Sequence, residues 1–315
     1  MKGSTVSAPL TVMRAADITA PEQRNPAWLI EHLRSSGAVG VIGGAPKCGK
    51  SWLALELATA VASGRPCLGR FAVPAHGPVL LYAAEDTPLH VRQRIEQLCL
   101  ARNAPFETLE LDLILEPTLR IDRPLDVERL RATLALRQPR LLILDPYVRL
   151  QSADENNATE VATILATLRE LSRSFSLALI LVHHTRKSLS DSGGQALRGS
   201  SDFHAWGDSN LYLRRRATDL VLTIEHRAAA APPPLSLTLL VNPVRLEIRN
   251  HDAQPLAHTS LEQRLLAALH HGPQHLDQLR AAVGARKQSV ADMLHSLEAT
   301  GRVLRRDDGW HLRTA

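Results

Sequence analysis

Four short runs of unbroken apolar residues recur through the first two-thirds of the chain, at positions 38–42, 79–84, 141–144 and 177–182. Runs of this length without polar alternation predict strands buried on both faces, the kind found in parallel sheets. Between them the apolar residues take a helical spacing. Residues 52–62 form one such segment. Residues 90–102 place Val91, Ile95, Leu98 and Cys99 on one face, and residues 126–138 do the same with Val127, Leu130 and Leu134. Residues 157–174 are helical as well. Strand alternating with helix predicts an α/β domain with a mainly parallel sheet. A further short strand is expected at 109–115, and the spacing over 27–33 predicts a short amphipathic helix carrying Trp28.

Past residue 200 the rhythm changes. Residues 210–213 are expected to begin an antiparallel edge. Segments 220–224 and 235–239 read as hairpin strands on either side of 228–234, which contains Pro232, Pro233 and Pro234 and cannot pair as strand. Residues 251–260 are polar and read as a linker. Three helical segments follow, at 261–271, 276–283 and 285–298, the last with Val290, Met293, Leu294 and Leu297 inward. A hairpin over 301–312 turns at Asp308-Gly309. Three helices and a β-wing predict a winged helix-turn-helix domain over 261–315. Residues 1–25 are polar and turn-rich, an N-terminal arm, which leaves 26–250 as the α/β domain.

One glycine-rich stretch gives this pattern a chemistry. Gly44-Ala45-Pro46-Lys47-Cys48-Gly49-Lys50-Ser51 matches G-x-x-x-x-G-K-[ST] in full, with a predicted strand before it and a predicted helix after it. Its backbone N–H groups and the positive helix terminus suit a phosphate chain. Lys50 is expected on the β/γ-phosphates, Ser51 on Mg²⁺, and Trp52 beside the nucleotide. The 141–144 run closes on Asp145, the form in which a carboxylate holds Mg²⁺ through water. The 79–84 run leads into Glu85 and Asp86, at the strand end that faces the ligand crevice of an open α/β sheet. Glu85 is the first candidate for general base and Asp86 the second, with a helix-capping acid as the plain reading of Asp86. The 177–182 run ends in His183-His184, within reach of a γ-phosphate. Arg186, Arg198 and Arg214 are the candidate cations for the developing charge.

Charge and composition narrow the partners less. The chain of 315 residues carries a net charge of +5, which leans towards a polyanion. Aromatic residues make up 3%, against a base-stacking groove built from many rings. The winged segment holds 8 Lys/Arg and 6 Asp/Glu. Arg286, Lys287 and Gln288 at the start of its third helix, with Arg305 and Arg306 on the wing, are the candidate DNA contacts, and a protein-docking role is the alternative. No apolar run is long enough for a membrane span, and the first twenty residues contain no secretory h-region. The spacing of Cys48, Cys67 and Cys99 suits neither a metal site nor a disulfide framework, as expected in a reducing cytoplasm.

Taken together, Gly44 to Ser51, Ala83-Ala84-Glu85-Asp86, Leu141 to Pro146, His183-His184-Thr185-Arg186-Lys187 and Arg198-Gly199-Ser200-Ser201 resemble the RecA-like ATPases of the RepA type, plasmid-encoded hexameric replicative helicases and their relatives. The resemblance covers roughly residues 25–250. It implies a RecA-like P-loop NTPase core and a homo-hexamer or other ring, with ATP and Mg²⁺ bound between neighbouring subunits. It also implies Glu85 as catalytic base and a γ-phosphate-sensing histidine, His184 before His183. The family's arginine-finger position falls on Gly207-Asp208-Ser209-Asn210, which contains no arginine. Arg214 is the nearest downstream substitute and Arg198 the other option. The winged helix lies outside the family's minimal core.

Overall fold

The computed structural model of the chain describes residues 12–17, 28–151, 158–184, 201–216, 219–249, 261–270, 272–283, 285, 287–306 and 309–313. The N-terminal arm apart from 12–17, the linker at 251–260, and Arg186 and Arg198 lie outside these residues. The chain divides into two compact units, one ending at residue 249 and one beginning at 250.

The first unit is built on a single large sheet. In chain order its elements are β1 (Trp28–Ile30), β2 (Arg34–Ser35), β3 (Val39–Gly44), α1 (Lys50–Ser63), β4 (Val79–Ala83), α2 (Pro88–Arg102), β5 (Leu111–Ile114), α3 (Pro124–Arg137), β6 (Leu141–Asp145), α4 (Ala158–Ser174), β7 (Ala178–His184), α5 (Ser201–Trp206), β8 (Ser209–Arg216), β9 (Asp219–His226), β10 (Leu235–Val241) and β11 (Val244–Ile248). Among the described residues the nine-stranded sheet runs β11-β10-β9-β8-β3-β7-β6-β4-β5. From β5 to β8 neighbouring strands are parallel, and from β8 to β11 they are antiparallel.

The unbroken apolar runs have a direct cause. Ile180 and Val182 of β7 pack in one core layer, with residues of α1 and α2, while Leu179 and Leu181 pack in the other, with residues of α3 and α4. A strand covered on both faces has no polar side to show. The helix α1 is apolar almost all round for the same reason, with Leu53, Ala54, Leu57, Ala58, Ala60 and Val61 all buried. It ends at Gly64, whose φ of 68° caps the last turn. By contrast β9 alternates, with Leu220, Leu222 and Ile224 buried and the residues between them half-exposed.

Three local expectations change. Residues 28–35 form the antiparallel hairpin β1–β2, not a helix. The Glu31 N–H is taken by the Ala72 carbonyl at 2.9 Å, and Leu29, Ile30 and Leu33 are all buried, so backbone pairing and burial override a weak helical spacing. Trp28, in this hairpin, packs edge-on to His226, with ring centroids 5.3 Å apart. Residues 210–213 lie within β8, which is not an edge: it pairs in parallel with β3 and antiparallel with β9. The strand β11, which the sequence reading passes over although Val244-Arg245-Leu246-Glu247-Ile248 alternates, closes the antiparallel side.

Arg34 holds the far end of the sheet together. Its guanidinium is buried and donates to the carbonyls of Ser209 (2.6 Å), Ala38 (2.5 Å) and Leu179, at the starts of β8, β3 and β7. Burial pulls its pKa down to about 9, with Asp208 opposing. A side chain at Gly40 would strike the Ser209 carbonyl and Arg34 itself.

The second unit contains α6 (Leu261–Leu269), α7 (Leu276–Val283), α8 (Lys287–Ala299) and the hairpin β12 (Val303–Arg306) with β13 (Gly309–Leu312). Leu265, Leu269, Leu279, Val283, Val290, Leu294, Leu297, Val303 and Trp310 form its core. This is the winged-helix order expected from the pattern.

Candidate functional site

The parallel register brings one end of each strand to a common edge. Gly44 of β3 lies opposite His184 of β7 and Leu213 of β8, and Ala83 of β4 lies opposite Asp145 of β6. The glycine loop leaves β3 at this edge and opens α1. Its turn needs left-handed backbone at Lys47 (φ 60°) and Gly49 (φ 91°). Gly44 has no room for a side chain, since a Cβ would meet the Leu213 carbonyl and, at 2.8 Å, the Cys48 sulfur. Cys48 itself is buried and donates its thiol to the Leu213 carbonyl at 3.4 Å, seating the loop on β8. Burial raises the pKa of that thiol, with Lys50 opposing.

A cavity of about 540 Å³ opens over the loop. Lys47, Gly49, Lys50, Ser51 and Trp52 line its floor, and Glu85, Asp86, Asp145 and His184 line one side. Lys50 donates from Nζ to the carbonyls of Gly44 (3.0 Å) and Ala45 (2.8 Å), so its ammonium sits in the mouth of the loop. Burial lowers its pKa, and Cys48, Asp145 and Glu85 act against that shift. Burial raises the Asp145 carboxyl to about 6; a hydrogen bond from Ser51 opposes the shift and nearby Glu85 adds to it. Glu85 is half-exposed and faces Arg149, with Oε1 3.5 Å from Nε. Asp86 is bound to Arg94 at 2.5 Å, and the helix cap falls to Thr87, whose hydroxyl accepts from the His90 N–H. Arg94 in turn lies over the Trp52 ring, 5.3 Å from its centroid.

The Ser51 hydroxyl and the Asp145 carboxylate form a hard oxygen pair at the loop, which fits Mg²⁺ and not a softer metal. Among the described residues no cluster of three or more His, Cys, Asp or Glu is placed to hold a metal. Mg²⁺ commonly takes only one or two carboxylates and fills its octahedron with phosphate oxygens and water.

Neighbouring residues on a strand point to opposite faces, and this separates two pairs that look equivalent in sequence. His184 lines the cavity. His183 lies on the other face, stacked on Phe203 with centroids 4.3 Å apart and edge-on to Tyr147 at 5.8 Å. Burial, then the charges of His184 and Lys50, lower its pKa to about 4. On β8, Leu211 and Leu213 pack in the layer beneath the loop and Tyr212 packs in the opposite one. Arg214 therefore leaves on the Tyr212 face. Arg215, which the sequence reading passes over, lines the cavity and donates to the Lys47 carbonyl at 3.5 Å. Counting in twos from Leu211 and Leu213 would have found it. Leu220, Leu239 and Leu246 of β9–β11 complete that side.

Over residues 5–190 the chain matches AAA_25, the AAA domain. The chain belongs to the AAA_25 family. This assignment covers the glycine loop, Glu85, Asp145 and both histidines, and it stops short of β8–β11. Residues 249–309 match the DprA winged helix domain. In fold the chain is similar to the structure titled "ATPase Domain of G40P", at a TM-score of 0.52 and 14% identity over 67% of this chain and 85% of that one. It also matches the structure of a DnaB-like replicative helicase and its interactions with primase, at a TM-score of 0.49 and 13% identity, over 65% of this chain and 56% of that one. With the AAA_25 match, the likeness to the first of these structures gives the core a RecA-like fold.

In the winged-helix unit the candidate DNA contacts are partly engaged. Lys287 pairs with Asp277 at 2.8 Å, and Gln288 donates to Asp292 at 2.9 Å. Arg305 lies over Trp310, 5.9 Å from the ring centroid, and Arg306 is exposed. Arg286 lies outside the described residues. No helix among the described residues is long and apolar enough to cross a membrane.

Proposed function

We propose that this chain hydrolyses ATP with Mg²⁺, and that it is a DNA-associated, ring-forming ATPase of the RepA type that couples hydrolysis to unwinding or translocation. One observation carries this reading: Lys50, Ser51, Glu85, Asp145 and His184 line a single cavity at the open edge of the sheet. The roles follow from position. Loop amides and Lys50 would hold the triphosphate, and Ser51 and Asp145 would hold the metal, which would supply positive charge against the phosphates. Glu85 takes the proton of the attacking water, and His184 contacts the γ-phosphate. Steady-state hydrolysis with and without single-stranded DNA, together with mass measurement with and without ATP, tests the motor reading. A hexamer and a DNA-stimulated rate are expected. A monomer whose rate DNA leaves unchanged overturns it.

A second reading is an ATP-gated DNA-binding regulator or loader without helicase activity. It is favoured by the absence of arginine at 207–210, where the resemblance puts the arginine finger, with the winged helix contacting DNA or a protein partner. Deletion of 261–315 then abolishes duplex binding, or binding of a protein partner, and leaves ATP hydrolysis intact.

A further inference from the structure

We infer that Arg215 is a nucleotide-binding residue acting within its own chain, on the α/β-phosphate part of the ligand rather than on the γ-phosphate. The inference rests on the nucleotide reading of the cavity and adds a residue and a contact to it. Leu213 of β8 is paired with Gly44, so Arg215, two residues further on and on the same face, overhangs the loop. The loop is thus flanked by His184 from β7 on one side and by Arg215 from β8 on the other.

The cavity is lined by two arginines, Arg94 and Arg215. Arg94 is committed to Asp86. Among the described residues no carboxylate forms an ion pair with Arg215, and its hydrogen bond to the Lys47 carbonyl is long, at 3.5 Å. A guanidinium offers five donors, and this one, exposed on the wall of a phosphate cradle, has most of them available for an anion. Its place along the ligand follows from the sheet order. Glu85, Asp145 and His184 lie on or just beyond β4, β6 and β7, all on the far side of β3 from β8. The metal and the attacking water belong to that side. Arg215 meets the phosphates nearer the nucleoside, which ADP and ATP share.

Titration calorimetry of the full chain, in a Glu85→Gln background that blocks turnover, tests this. Arg215→Ala is expected to weaken ADP and ATP alike by roughly 10- to 100-fold, the span for a hydrogen bond to a charged group. Arg215→Lys recovers part of the loss, and Arg214→Ala matches the parent. In chains with Glu85 intact, kcat of Arg215→Ala at saturating ATP stays within about threefold of the parent, as expected for uniform binding. The inference is overturned if ADP affinity of Arg215→Ala equals that of the parent, or if affinity holds and kcat alone collapses. It is overturned equally if mixing Arg215→Ala with Lys50→Ala chains restores hydrolysis, since the arginine would then act across subunits. Failure of the parent chain to bind ATP, ADP or tripolyphosphate defeats the nucleotide reading itself, a result distinct from these.

Discussion

The two flanks of the glycine loop are built differently. On the β7 flank every strand is parallel, β7, β6 and β4 are covered on both faces, and their polar residues appear only where these strands end, as Glu85, Asp145 and His184. On the β8 flank the sheet turns antiparallel; β9 alternates between a buried and a half-exposed face, and β8 carries the buried run Leu211-Tyr212-Leu213 followed by Arg214, Arg215 and Arg216. A polar residue after an unbroken apolar run marks itself as the strand end. Three arginines in succession at the end of β8 leave on alternate faces, and only the layers in which Leu211, Leu213 and Tyr212 pack decide which one meets the loop. That difference explains why the acids of the first flank are readily found and Arg215 of the second is not.

The strongest test of the comparison is chemical. Glu85→Gln should lower kcat by about 10²- to 10⁴-fold while ATP affinity is kept, because it removes a proton acceptor and leaves the phosphate cradle whole. Equal loss of binding and turnover would mean that the β7 flank holds the ligand rather than acting on it. Rapid-quench turnover beside equilibrium binding separates the two.

The next test is structural. Arg34 joins the starts of β3, β7 and β8, and so ties both flanks together. Arg34→Met leaves three buried carbonyls without this donor and should cost about 3 kcal/mol or more of stability. Urea unfolding followed by far-UV circular dichroism measures this, and an unchanged midpoint would show that the flanks are joined by other contacts.

A smaller effect is expected from His183, whose ring is packed rather than turned to the cavity. In the unfolded chain it protonates near pH 6.5, and in the folded chain only near about 4. The stabilisation from the neutral ring is complete above pH 6.5. It falls as the pH drops and is gone below about 4, a loss of up to about 3 kcal/mol. His183→Phe should flatten this acid limb in thermal melts between pH 7 and 4 and leave hydrolysis at neutral pH nearly unchanged. A matching acid limb in the variant would place the titration elsewhere.

Much of this site is legible before folding because phosphate chemistry constrains short stretches of chain. The loop from Gly44 to Ser51 needs left-handed backbone at Gly49 and no side chain at Gly44, and both demands are written into the residues themselves. Residues 28–35 show the opposite case. Their apolar spacing suits a helix nearly as well as a strand, and their conformation is settled by the Ala72 carbonyl and by Arg34 reaching Ser209, contacts remote in sequence. β11 is a different case: Val244, Leu246 and Ile248 alternate with Arg245 and Glu247, a strand signal present in the sequence that the sequence reading passes over.

The sequence alone determined the α/β alternation, the phosphate loop, the strand-end acids and the winged-helix pattern, because each depends on local spacing and on backbone demands confined to a few residues. Tertiary structure decided which member of each polar pair reaches the cavity. His183 and His184 are adjacent in sequence, as are Arg214 and Arg215, and nothing in their chemistry tells them apart. A strand sends neighbouring side chains to opposite faces, and only the packing of α1 and α2 on one face and α3 and α4 on the other made one of those faces the site.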